Sequence, residues 1–139
     1  MRITLESDYA LRILTAMASY QGITDANTIS ADTSVSQRFT LKILHKLVGG
    51  GLVQSHKGAK GGYQLKLSPA EITLKRVIEL IDGPIAIARC LDSEEGCSLN
   101  CDKTACVYHH IFDTISIQLA SKLDKITIQN VIERNYNLT

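Results

Sequence analysis

The amino-acid sequence predicts a mainly α-helical fold with one small β-hairpin and a long helix near the C-terminus, and three observations carry that prediction. Apolar residues recur at three- and four-residue steps through the first part of the chain. A basic, glycine-rich segment, HKGAKGG, separates two short runs of strand character. A second helical pattern, from Val107 to Leu123, carries a longer apolar seam than a small domain buries by itself.

Each element has a local cause. Leu5 to Tyr20 reads as a helix because Ala10, Ile13, Leu14, Met17 and Ala18 share one face, and Gly22 stops it. Asp25 caps a short helix over Ala26 to Asp32, Ser34 falls in a tight turn, and Ser36 caps a longer helix to Val48. That is a helix-turn-helix arrangement. On its second helix Phe39, Thr40, Ile43 and Leu47 are expected to face inward, and Arg38, Leu41, Lys42 and His45 outward. Gly49 to Gly51 end the helix. Leu52 and Val53 then open one strand, Tyr63 to Leu67 form the next, and the turn between them makes a wing.

Pro69 suits the first position of a short helical turn, and Thr73 caps a helix through Leu80 and Ile81 that ends at Gly83-Pro84. The cysteine loop is expected to follow, with no clean helical or strand period from Cys90 up to Ala105. In the long helix that follows, Ile111, Ile115, Leu119 and Leu123, with Phe112 and Ala120 beside them, form the seam, which is expected to pack on a second copy of the chain. Thr127 caps a last short helix. The expected organisation is a winged helix-turn-helix over residues 1–83, a cysteine-rich loop over 84–106, a dimerisation helix over 107–126, and a C-terminal helix and tail over 127–139.

Composition narrows the function classes. Of the 139 residues 45% are hydrophobic and 21% charged, which suits one soluble globular domain rather than a disordered chain. No run approaches the ~20 apolar residues of a membrane span, and the start, MRITLESDYA, lacks the apolar core of a secretory signal, so a cytoplasmic location with no membrane partner is expected. No nucleophile–base pair, phosphate-binding glycine loop or carboxylate dyad points to an enzyme.

Charge distribution says more than the net charge of +1. From Thr33 to Ala70 there is no acidic residue, yet six basic ones occur: Arg38, Lys42, Lys46, Lys57, Lys60 and Lys66. Such a stretch in a near-neutral chain fits a surface that neutralises the phosphates of double-stranded DNA. Ser36, Gln37, Arg38, Lys42 and His45 on the second helix are the candidate DNA-binding residues, with Gln37 and Arg38 placed for base edges. Lys57 and Lys60 at the wing tip suit phosphate or minor-groove contact. The plainer alternatives are a solvated lysine face and an ordinary hairpin turn.

All four cysteines lie in CLDSEEGCSLNCDKTACVYHH, spaced Cys-x6-Cys-x3-Cys-x4-Cys, with His109 and His110 close behind Cys106. Thiolates at this density select zinc, cuprous copper or an iron–sulfur cluster. A structural zinc site usually shows close Cys or His pairs that are absent here, and disulfides are disfavoured in a reducing compartment. Irregular spacing suits a cluster better.

These features together resemble the bacterial winged-helix iron–sulfur transcription regulators of the IscR and NsrR type. The resemblance runs through MRIT and SDYALR, GLV and KGAKGGYQL at the wing, VIELIDG before the loop, the loop itself, and ITIQNVI near the end. It implies a homodimeric regulator, in the first instance a repressor, whose DNA affinity follows a 2Fe-2S or 4Fe-4S cluster sensing redox state, nitric oxide or iron–sulfur status. Cys90 matches the first ligand and Cys106 the last, and the local CSL sequence favours Cys97 over Cys101 in the middle. The extra thiol departs from the three-cysteine pattern and makes Cys101 a further candidate. For the fourth ligand the resemblance offers His109 or Asp8 of the partner subunit, the latter preferred because it ties the cluster to the reading head. The plain roles of these two are a dimer-helix histidine and a first-turn charge. The alternatives in function are a cluster-free thiol-redox regulator and a small electron-transfer protein.

Overall fold

The structure is a computed structural model that describes residues 1–93, 97 and 102–139. Its elements run α1 (Leu5–Met17), α2 (Ala26–Thr33), α3 (Gln37–Gly49), β1 (Val53–His56), β2 (Gly62–Leu65), a one-turn 3-10 helix (Pro69–Glu71), α4 (Leu74–Asp82), α5 (Arg89–Asp92), α6 (Val107–Asp124) and α7 (Ile128–Glu133). Mostly helical with a two-stranded antiparallel sheet, it is the winged-helix architecture that the sequence predicts.

The first three helices form where the capping residues lead them. Thr4 caps α1 by accepting from the Ser7 N–H, Asp25 caps α2 through the Thr28 N–H, and Ser36 caps α3 through the Phe39 N–H. Ser34 takes a left-handed conformation (φ 54°) that ends α2 and turns the chain into α3. Their facing sides supply Ala10, Ile13, Leu14, Ile29, Ile43, Leu44 and Leu47, all fully buried. The inner face of α3 is Thr40, Ile43, Leu44 and Leu47, not the expected set with Phe39. Phe39 lies one residue, hence 100°, round the helix from Thr40, on its flank. There it stays 44% exposed and meets the Tyr9 ring edge-on at 6.0 Å.

Val53 to His56 pair with Leu65 to Gly62 in register, and Tyr63 also exchanges backbone hydrogen bonds with Thr24, at 2.8 and 2.9 Å. The wing is therefore anchored on the α1–α2 connection. This contact explains Gly62, since a Cβ there would come within 2.5 Å of the Thr24 carbonyl oxygen. Its glycine is a packing requirement as well as a turn residue.

The segment read as loop contains one helical turn, α5, which carries Cys90. Four residues are too few to show a period. At the other end of the chain α7 folds back: Ile128 is buried in the same core as α1 and α4, and its N–H donates to the Ile72 carbonyl at 2.9 Å. By contrast α6 leans on α4 and α5 with Ser116 as its one buried residue. The Ser116 hydroxyl accepts from the Ile87 N–H at 3.1 Å, fixing the start of the cysteine segment to mid-α6. The expected seam divides. Phe112, Leu119, Ala120 and Leu123 are half-buried, whereas Val107, Tyr108, Ile111 and Ile115 form an exposed apolar stripe. No helix among the described residues is long and apolar enough to cross a membrane.

Candidate nucleic-acid interface and cysteine loop

Helix α3 presents its basic face outward because Ile43, Leu44 and Leu47 on the opposite side are buried in the core, while Phe39 and Leu41 stay exposed. Arg38, Phe39 and Lys42 line a shallow depression of about 460 Å³ on that face. Gln37, Arg38, Lys42 and His45 are exposed, as are Lys57 and Lys60 on the tight turn between the strands. Ser36 is exposed too, with its hydroxyl engaged as the helix cap. The structure thus brings the helix candidates onto one face and leaves the wing lysines at a hairpin tip.

The acid-free stretch is less free of acid in space than in sequence. Glu6 of α1 reaches across to α3, with Oε1 2.9 Å from the Lys42 amine and Oε2 3.0 Å from the Lys46 amine. Oε1 is fully buried, and Lys42 partners it through charge rather than through a well-angled hydrogen bond. Chiefly Lys42, against the cost of burial and with help from Lys46, holds the Glu6 carboxyl below the usual carboxylate range. No local sequence pattern announces this residue, because its partners lie two helices away. Nearby, Asp8 pairs with Arg12 at 2.7 Å, and Arg12 also donates to the Thr33 carbonyl at the end of α2. Asp8 is exposed on α1 with that one ion-pair partner.

The cysteine segment spans two elements. Cys90 sits on α5, Cys106 is the N-terminal flanking residue of α6, and the thiols of Cys90, Cys97 and Cys106 are free and half-buried. Cys101 lies outside the described residues. His109 is one helical turn beyond Cys106, and its Nδ1 is buried without a hydrogen-bond partner. Free thiols and an imidazole nitrogen lacking a partner match in donor type what a soft-metal centre requires. Among the described residues no three His, Cys, Asp or Glu side chains gather at metal-holding distance, so one chain's described part supplies the donors without assembling them.

A three-helix core, a wing anchored on it and a basic outward helix define a DNA-binding winged-helix regulator. The chain belongs to the Rrf2 family, described as iron-dependent transcriptional regulators, whose model matches residues 3–134. It is 29% identical over 137 residues to the HTH-type transcriptional regulator IscR of Aliivibrio salmonicida, covering 97% of this chain and 79% of that one. It is 23% identical to the HTH-type regulator NsrR of Bacillus subtilis, covering 99% and 94%. Among solved structures, CymR, the global cysteine regulator of B. subtilis, superposes with a TM-score of 0.76 at 24% identity, covering 96% of this chain and 98% of that one. The IscR of T. potens does so with 0.74 at 20% identity, covering 96% and 88%. The chain is accordingly a transcription regulator of the Rrf2 family.

Proposed function

We propose that the chain works as a homodimer that binds double-stranded DNA through α3 and the wing, with an affinity set by an iron–sulfur cluster on the cysteine segment. Cys90, Cys97 and Cys106 would hold the cluster, which when bound supplies a centre sensitive to oxidants, nitric oxide and iron shortage. The observation that supports this reading is the buried, unpartnered Nδ1 of His109, three residues after Cys106 in the chain. A buried nitrogen left unsatisfied costs about 1–3 kcal/mol, and a metal bond made by this ring would let the imidazole settle that cost. The same observation supports His109 over the partner subunit's Asp8 as fourth ligand, since the Asp8 carboxylate already has Arg12.

The chain's own residues supply the output. Ser116 ties the start of the cysteine segment to α6, and the exposed apolar stripe of Val107, Tyr108, Ile111 and Ile115 on α6 would pack against the same stripe of a twin. Two reading helices about one DNA turn apart, ~34 Å, would feel any shift of α6 as a change in head spacing. Anaerobic purification followed by iron and sulfide counts and a visible spectrum tests the centre. Bound iron and labile sulfide with a brown chromophore are expected, and their absence from the wild-type protein together with an unaltered Cys106→Ala variant would sink the cluster.

A second reading rests on the free thiols, which do not gather as a ligand group among the described residues. It is a cluster-free regulator switched by thiol oxidation. Colourless protein whose DNA affinity changes with peroxide and returns with dithiothreitol would select it.

A further inference from the structure

Among the described residues there are three ion pairs, and two of them share one carboxylate: Glu6, with Lys42 and Lys46 of α3. The two lysines stand one helical turn apart and differ in exposure. The Lys42 side chain is 55% exposed and lines the outward depression, whereas that of Lys46 is 36% exposed and that of Glu6 only 21%. One ammonium suffices to neutralise one carboxylate. Lys46 can therefore keep Glu6 satisfied while Lys42 turns outward, and the carboxylate does not become a buried unpaired charge. Arg38, Lys57 and Lys60 have no such acid beside them among the described residues.

Taking α3 as a DNA-reading helix, as proposed above, we infer that Glu6 is a specificity-setting positioning residue. It is a built-in counter-ion that competes with DNA phosphate for Lys42. A duplex held loosely, in shifting registers, offers no phosphate at a fixed place and leaves Lys42 on Glu6. A duplex locked in register by base contacts holds one phosphate where Lys42 can reach it. Glu6 then restrains non-specific binding more than specific binding, and so widens the ratio between them, on which finding a site among many competitors depends.

The test is fluorescence anisotropy across a salt series, with two labelled duplexes. One has mixed sequence and is roughly 30 bp long, about three helical turns. The other is recovered from a random pool by repeated selection on the parent protein. Each further phosphate neutralised by the protein steepens the salt slope by about 0.9. Glu6→Gln should therefore steepen the mixed-duplex slope by about 0.9 and tighten binding up to about eightfold at ~0.1 M salt, with a smaller gain on the selected duplex. Adding Lys42→Gln should return the mixed-duplex slope to the parental value. A purely structural role for Glu6 would lower the melting temperature and weaken binding without steepening either slope.

Lys42→Gln alone needs no change at Glu6. It should flatten the selected-duplex slope by about 0.9 and leave the mixed-duplex slope nearly unchanged. Equal changes on both duplexes, in either variant, would overturn the inference while leaving α3 as the reading helix. Failure of the parent to bind either duplex at any salt would instead remove the DNA reading on which it rests.

Discussion

The winged helix and the α6–cysteine region are built on opposite principles. In the former, α1 to α4 and α7 close one core around Ile13, Leu14, Ile43, Leu47, Val77 and Ile128, each at most 1% exposed. In the latter, an eighteen-residue helix buries only Ser116 and leaves Val107 and Tyr108 about 70% exposed, as 70% and 72%. A region that satisfies itself is a scaffold. A region with an exposed apolar stripe, free thiols and an imidazole nitrogen without a partner among the described residues fits the proposal that a twin and a cluster complete it, and on that proposal it would report whether they are present.

The sharpest way to break this contrast is to damage each region by comparable means. Leu14→Ala, at a fully buried core position, should cost about 2–5 kcal/mol in urea unfolding and depopulate the folded chain. Ile115→Asp should leave the core of the winged helix standing, and sedimentation velocity should show monomer in place of dimer. If Ile115→Asp instead unfolds the chain as Leu14→Ala does, α6 is part of the scaffold and the contrast fails.

Substitutions in the cysteine segment come next. Cys106→Ala and Cys90→Ala should each abolish cluster absorbance while far-UV circular dichroism retains the helical signal. His109→Ala should alter the spectrum more than Asp8→Ala; the reverse order would return the fourth ligand to the partner subunit's Asp8.

How much of this was legible in the sequence follows the same division. Thr4 apart, every cap that mattered, Asp25, Ser36, Thr73 and Thr127, stands out locally, because capping depends on neighbours only. Phe39 reads as core in the sequence but lies on the flank, because a helical pattern fixes a face only to within one residue's turn. Glu6 was invisible as a partner of Lys42 because their meeting depends on how α1 crosses α3, which no periodicity encodes. Gly62 was readable as a turn glycine, and its close approach to Thr24 was not. The cysteine spacing marked the segment but not the position of His109 Nδ1, which depends on the burial of α6.

Smaller effects sharpen the reading head. Arg38→Ala should relax sequence preference on selected duplexes, and Lys57→Ala should weaken specific and non-specific duplexes alike, flattening the salt slope by about one phosphate's share. Both variants binding like the parent across a salt series would move the interface elsewhere.

The smallest expected effect is the acid limb of stability at Asp82. Burial pushes its carboxyl up, but the hydrogen bonds from the Thr4 hydroxyl and N–H outweigh that and leave it below the usual carboxylate range. With the folded value depressed, the stabilisation is present above the unfolded aspartate value, ~3.9, and is lost as pH falls through the folded one. Asp82→Asn should therefore lower the melting temperature near neutrality and reduce the further loss below about pH 4. An unchanged acid limb would show that the tie between α1 and α4 does not matter to folding.

The central claim is that completion of the cysteine region is what the winged helix reports, and one measurement meets it directly. The affinity of anaerobically purified protein for its selected duplex is compared with that of the same sample after the cluster is stripped, at fixed salt and confirmed dimer. A change of at least about tenfold, some 1.4 kcal/mol of coupling, is predicted. Equal affinities for the two samples, with iron and sulfide verified in one and absent from the other, would contradict it.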